Sequence, residues 1–444
     1  MCSQLLRRTV PWTTSYLRTM ATMSANALPW SNRKRLIVCC DGTWENSTGD
    51  SFKPPTNVTR LSRAISREVV IKEDGINKRI SQIVYYQKGV GTGLIGDKLG
   101  GGAIGLGLSS NVRAAYGFLV DNYDDGDEIF FFGFSRGAYT ARAVAGLVLR
   151  LGLLTARGMD NFTTVYNDYY NKNSPSSSAP KHDYQNKDWR RQVGFREEPL
   201  PRFTVKIIGV WDTVGFHDTW LGRWLGEQLE LPNTILYPEV QYAFHALSLD
   251  ETRNTYKPIL WHLPKVNDGQ ELLQVWFSGY HSDVGGGLDD PRLSDITLAW
   301  MVSQCTKHNQ LGVNLDYFYH NPPKAVEAED QPWATILGEA NPPKWGIARV
   351  LASIRGHSAR TPLQCPEGVD VSSITNEKVH ESIKDRNLGS KRRPGYWPSG
   401  VVKGQGDDQS WLLVGGHALE KFTASRAEKE LRGRIRKVHP NELD

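Results

Sequence analysis

A serine between two glycines, in the run GFSRGAYTAR at residues 133–142, carries the clearest chemical potential in this chain. In the pattern G-x-S-x-G the serine sits on a sharp strand-to-helix turn that exposes its hydroxyl, and the flanking glycines leave room for the strained backbone. Gly133 and Gly137 fill those places. The apolar run EIFFF precedes the motif, and Ala, Val and Leu follow at helical spacing. Ser135 is therefore a candidate nucleophile. The competing reading is a glycine-lined turn with no chemistry.

A serine hydroxyl attacks only when a base takes its proton and a carboxylate holds that base in the right tautomer. In the G-x-S-x-G arrangement these partners follow in the order serine, acid, histidine. They belong at the carboxyl ends of later strands, where parallel sheets keep their sites. VWDTVG places Asp212 directly after an apolar run, and FSGYHSDVGGG places His281 after another. Asp250, in HALSLDETR, also precedes His281 and competes for the acid. Asp283 is close enough to His281 to shape its turn instead. His245 follows an Ala/Tyr-rich stretch that reads as helix, where a histidine is packed rather than catalytic. His357 and His380 lie where periodicity is weak.

Such chemistry also needs donors for an oxyanion. One is the backbone N–H after the nucleophile, here that of Arg136; the other comes from a loop two strands earlier. Counting back from EIFFFGFS through IVYYQKG reaches RLIVCCDGT, which nominates Gly42 and Thr43. The competing reading is a plain turn with Asp41 capping the next segment.

The elements that must position these residues read as alternating strands and helices. RLIVCCDGT, SQIVYYQKG, DDGDEIFFFGFS, RFTVKIIGVWDTVG and LLQVWFSGYHSDVGGG are strands ending in polar turns. PTNVTRLSRAI, NVRAAYGFLVDNY, SRGAYTARAVAGLVLRLGLL and SDITLAWMVSQCTKHN are helices. Alternation of this kind predicts an α/β fold, a mostly parallel sheet with helices on both faces. The glycine-dense stretch at residues 89–108 reads as a loop. Residues 158–201, rich in Tyr, Asn and Ser, read as an insertion, and residues 216–240 as a cap-like element. Residues 320–410 hold much of the proline and little periodicity, and the terminal ALEKFTASRAEKELRGRIRKV reads as a charged helix. The organisation expected is a basic leader at 1–34, a catalytic domain at 35–320 and an irregular C-terminal accessory region at 321–444.

Composition excludes several classes. The net charge of +5 over 444 residues, without an arginine stripe or zinc-finger spacing, does not suit nucleic-acid binding. No apolar run reaches the length of a membrane span. Cys2, Cys39, Cys40, Cys305 and Cys365 are odd in number and contain no C-x-x-C, which reads as a reduced, cytoplasmic protein. Residues 1–40 carry no Asp or Glu but several Arg, the composition of a mitochondrial transit peptide, so a mitochondrial location is the alternative. GTGLIG at 91–96 matches a dinucleotide-binding pattern, but more glycine-rich loop follows where a helix should open at once. The DGT after the first strand lacks the preceding Asp of a D-x-D-G-T phosphatase, because Cys39 stands there.

Together CDGTWEN, PTNVTRL, YYQKGVGTG, GDEIFFFGFSRGAYTAR, IGVWDTVG, HALSLDETR and VWFSGYHSDVGGG resemble successive signatures of one family. It was once catalogued as a domain of unknown function and is now named for bacterial type VI secretion phospholipase effectors. The resemblance runs from about residue 35 to 300; SARTP and EKVHESI…PGYW resemble its C-terminal tail less specifically. It implies an α/β-hydrolase core with a Ser-Asp-His triad, falling here on Ser135, Asp212 and His281, and phospholipase or carboxylic-ester activity for some members. The insertion at 158–201 departs from the family, as does the lack of the effectors' extra membrane-docking domains. The expectation is a serine esterase that needs no cofactor or metal and acts on a small-molecule or lipid ester, with transient membrane-surface contact. The alternatives are a catalytically silent binding module of the same fold and a dinucleotide-binding protein.

Overall fold

Strand β1 (Trp30–Cys40) ends in six consecutive buried residues, Arg35 followed by the apolar run Leu36 to Cys40. Leu36, Val38 and Cys40 join one apolar core, while Ile37 and Cys39 join another. The same split recurs in β4 (Glu128–Phe134): Ile129 and Phe131 face the first core, Phe130, Phe132 and Phe134 the second. Side chains alternate along a strand, so a strand covered on both faces needs an unbroken apolar run. That is the physical reason RLIVCC and EIFFF read as they do.

The computed structural model describes residues 28–42, 54–89, 103–173, 183–215, 234–265, 267–320, 358–363, 374–383, 401–403, 411–413 and 418–429. The remaining strands among them are β2 (Glu68–Glu73), β3 (Ile76–Gln87), β5 (Val205–Trp211), β6 (Val240–Ser248), β7 (Glu271–Phe277), β8 (Glu377–His380), β9 (Val401–Lys403), β10 (Trp411–Leu413) and β11 (Ala418–Phe422). They form one sheet in the order β2-β3-β1-β4-β5-β6-β7-β8-β11-β10-β9. Pairing is parallel from β3 through β11 and antiparallel for β2–β3, β11–β10 and β10–β9. The sheet is therefore mixed and mostly parallel.

Helices cover both faces. Helix α1 (Asn57–Ala64) packs in the second core, capped by Thr56, whose side chain accepts from Thr59 N. Helices α2 (Ala103–Asn122) and α3 (Ser135–Leu151) pack in the first. So do α4 (Phe162–Asn173) and the residues flanking α5 (Lys187–Val193): Phe162, Tyr166, Tyr169, Tyr170, Tyr184 and Phe195 are buried there. The stretch expected as an insertion thus puts its aromatics into the main core. After β7 come α6 (His281–Gly285) and α7 (Arg292–Cys305), the latter packed in the second core.

Several expectations need correction. Strand β2 was not foreseen; it pairs with β3 through the Asp74–Gly75 turn, both residues at positive φ as a two-residue hairpin requires. Helix α2 opens at Ala103, inside the glycine-dense stretch expected as loop. His245 lies on β6, not on a helix. The run VQYAFHALS is central in the parallel sheet, and its small apolar residues look helical only when the neighbouring strands are ignored. The terminal segment expected as a single charged helix begins as strand β11, and among the described residues helix starts at residue 426. Described parts of 321–444 continue the sheet: β8 pairs with β7 and β11 with β8, and the buried pair His380 Nε2 and Glu428 Oε1, 3.0 Å apart, joins β8 to the segment after β11.

Residues 1–27, most of the cap-like element (216–233), GTGLIG and His357 lie outside the described residues. Cys39, Cys40 and Cys305 are free and buried. Among the described residues no helix is long and apolar enough to cross a membrane.

Candidate active site

The sheet order changes direction between β1 and β4. From β1 the chain goes to β3 on one side, then to β4 on the other. Adjacent strands whose connections leave in opposite directions open a crevice beyond their carboxyl ends. Cys40 of β1 and Gly133 of β4 are in register at that edge. Ser135 stands directly beyond it as the first residue of α3, with φ of 57°. A non-glycine residue in the left-handed region is strained, as a nucleophile's turn requires.

The two glycines around Ser135 are needed for space. A Cβ on Gly133 would fall 2.6 Å from Ala138 Cα, and one on Gly137 would fall 2.3 Å from the carbonyl oxygens of both Cys40 and Asp41. Helix α3 thus meets the end of β1 backbone against backbone. Gly137→Ala is expected to lower stability by about 3 kcal/mol through overpacking against atoms that cannot move aside. The readout is the denaturant midpoint, and an unshifted midpoint would contradict this packing.

The partners come from two other strand ends. Asp212 follows β5 with φ of 40°, and His281 opens α6 after β7. His281 Nε2 lies 2.8 Å from Ser135 Oγ, and His281 Nδ1 lies 2.6 Å from Asp212 Oδ2. All three are buried: Ser135 7% exposed, His281 4% and Asp212 0%. The imidazole packs between the Phe134 ring, at 4.7 Å between centroids, and the edge of Tyr256, at 4.8 Å.

Burial alone would raise the Asp212 carboxyl; the Arg360 charge and the His281 bond outweigh it and hold it well below the ordinary carboxylate range. Asp212 is therefore ionised and only accepts, so His281 Nδ1 carries the proton and Nε2 presents its lone pair to Ser135. Burial pushes the His281 imidazole below its ordinary value, against the opposing pull of Asp212. The imidazole is therefore neutral at pH 7.

Asp250 does not reach His281 Nδ1; its Oδ2 accepts from Gly279 N at 2.5 Å and shapes the turn before His281. Asp283 accepts from Tyr280 N at 2.9 Å in the same turn. His245 is fully buried; its Nε2 accepts from Thr213 N at 3.1 Å, which fixes the backbone just after Asp212. Burial and then the Arg142 charge push its imidazole down to about 3, so it stays neutral.

The oxyanion candidates divide. Arg136 N–H lies in the first turn of α3, where backbone donors have no intrahelical acceptor. Gly42 is beside Ser135, since a Cβ on it would lie 3.4 Å from Ser135 Cβ. Its N–H, however, donates to Asp41 Oδ1 at 2.7 Å. The expectation that Gly42 N–H stands ready for a substrate oxygen is thus corrected: the buried Asp41 carboxylate, which also binds Thr56, Thr59 and Tyr86, claims it. Thr43 lies outside the described residues.

Sequence reasoning missed the remaining ligands of Asp212. Ser248 donates its N–H and hydroxyl at 3.1 and 3.0 Å. Arg360 donates from NH1 to Oδ1 and from NH2 to Oδ2. No local signal marks Arg360, which is 148 residues from Asp212 in a stretch of weak periodicity; its only trace was SARTP in the family resemblance. Among the described residues no group of three His, Cys, Asp or Glu side chains is placed to hold a metal ion.

A mostly parallel α/β sheet with a buried serine, histidine and aspartate hydrogen-bonded in line beyond its strand ends defines the class. Residues 34–304, well over half of the chain, match the family model described as T6SS, phospholipase effector Tle1-like, catalytic domain, and the chain belongs to this family. An uncharacterized protein of Saccharomyces cerevisiae is 28% identical over 258 residues, covering 53% of this chain and 34% of that protein. The chain thus matches about a third of that relative's length. The Tle1 effector bound to the VgrG spike of the type 6 secretion system is 17% identical, covering 59% of this chain and 52% of that one at a TM-score of 0.32. An uncharacterized protein from Pseudomonas aeruginosa is 15% identical, covering 68% of this chain and 50% of that one at a TM-score of 0.34.

Proposed function

We propose that this protein is a serine hydrolase that cleaves carboxylic esters, with Ser135, His281 and Asp212 as its triad. The observation that carries the reading is the unbroken line from Ser135 Oγ through His281 to Asp212, at 2.8 and 2.6 Å. Ser135 attacks the ester carbonyl while His281 Nε2 takes its proton. The proton then passes to the leaving alcohol. Water, activated by the same nitrogen, releases the acid from the acyl-enzyme. Asp212 holds the tautomer and stabilises the imidazolium that forms. Arg136 N–H receives the oxyanion, with Thr43 N–H as the second donor.

Membership of a phospholipase effector family supports a phospholipid or other lipid acyl ester as substrate. Ser135 joins a left-handed backbone, which costs about 1–3 kcal/mol, to the hydrogen bond from its hydroxyl to His281, and this combination favours an active site over a catalytically silent scaffold. The test is a fluorophosphonate probe on the full chain. One label per folded molecule, mapped to Ser135 and abolished by heat denaturation, is expected. A folded protein that never labels would return the silent scaffold.

A further inference from the structure

One cation meets both oxygens of the Asp212 carboxylate, and it comes from beyond the family-matched residues 34–304. Arg360 is buried at 6% exposure and spends its guanidinium entirely on this corner of the site. NH1 donates to Asp212 Oδ1 and to Ser248 O at 2.9 Å; NH2 donates to Asp212 Oδ2 at 3.0 Å and to Tyr256 O. Tyr256 is also the ring whose edge packs on His281. A planar fork on a carboxylate fixes direction as well as charge.

We infer that Arg360 is a positioning residue for the proposed triad: its fork aims Asp212 at His281 Nδ1, and its charge balances the buried carboxylate while the imidazole is neutral. The inference rests on the serine-hydrolase reading. With Arg360 present, Arg⁺, Asp⁻ and neutral imidazole sum to zero. Without it the same pocket holds one negative charge, which is costly to bury. The cheapest relief is a proton on His281, and a protonated His281 cannot accept one from Ser135. Loss of Arg360 therefore moves the acid limb of activity to higher pH.

Among the other groups around His281, the nearby Arg253 charge also disfavours a ring proton, and the Glu251 carboxylate offsets it. Glu251 Oε2 accepts from His281 N at 3.4 Å but is paired with Arg253 at 2.7 Å. Arg253 lies over the Tyr256 ring, 3.6 Å from its centroid. Asp250 and Asp283 are occupied by backbone N–H groups of the turn. Arg136, in the field of Tyr256, is held down by its own burial.

The experiment measures the rate of fluorophosphonate labelling of the full chain from about pH 5 to 9, a range that spans the ordinary histidine value. Wild type, Arg360→Met and Arg360→Lys are compared. For Arg360→Met the acid limb is expected to rise by about 1 pH unit or more. Its plateau is expected to fall by about 10²-fold from lost aim. Arg360→Lys, which keeps the charge but not the fork, should keep the wild-type limb with a lowered plateau. A merely structural Arg360 would lower the Met variant's rate equally at every pH, and that result overturns the inference. Should Arg360→Met fail to fold, Arg360→Gln, which also removes the charge but keeps hydrogen-bond donors, decides: an acid limb moved to higher pH supports the inference and an unmoved limb overturns it. A wild type that never labels defeats the hydrolase reading and this inference together. A wild type that labels at Ser135 beside an unmoved Met limb defeats this inference alone.

Discussion

Ser135→Ala is expected to lower ester turnover by about 10⁶-fold, to the level left by binding and the oxyanion donors. The loss should be this large because among the described residues no other hydroxyl is offered to His281: its Nε2 faces Ser135 Oγ and its Nδ1 faces Asp212. The fold should survive, since alanine replaces a 7%-exposed serine with a smaller side chain at the same backbone angle. Ser135→Gly sharpens the comparison. It should be equally inactive yet more stable by about 1 kcal/mol, because glycine holds a positive φ without the Cβ penalty. Turnover of a chromogenic short-chain ester and thermal unfolding read both effects. Turnover above a tenth of wild type in Ser135→Ala would move the chemistry to another residue.

Asp212→Asn should cost about 10⁴-fold in kcat, the scale at which a triad loses its correct tautomer. An amide at Asp212 would turn either a donor or a weaker acceptor to His281 Nδ1 and leave Arg360 without its counter-charge. Breaking one side of a buried pair costs about 3–5 kcal/mol, so the folded fraction must be measured alongside the rate. Asp250→Asn is the control. An asparagine oxygen can still accept from Gly279 N–H, so kcat should change less than about tenfold, as for a lost turn contact. Equal losses in the two variants would mean that the acid has been misassigned.

Legibility in the sequence followed how local each constraint is. The G-x-S-x-G turn was readable because its demands lie within five residues: a strand before, a helix after, and two positions without a side chain. Asp212 and His281 were readable because each ends an apolar run, and a parallel sheet gathers its strand ends on one edge. Between Asp212 and Asp250 the residues favoured Asp212, which directly follows an apolar run, but left Asp250 open because it too precedes His281. Their roles separate only through the turn at Gly279, which draws Asp250 onto a backbone N–H while Asp212 faces the imidazole. His245 was misplaced because Ala-rich strands buried on both faces carry no period of two. Strand β2 was missed because EVVIKE does not alternate in residue type, although its exposure does and Asp-Gly follows it.

By itself the sequence determined the alternating α/β layout, the strained serine and the order of its partners, since these depend on neighbours in the chain and on side-chain periodicity. Tertiary structure alone decided that Asp41 claims the Gly42 N–H and that Arg360 closes on Asp212 across 148 residues. Both follow from the cost of burying a carboxylate, which is met by whichever donors the fold brings within reach, however far away they stand in the chain.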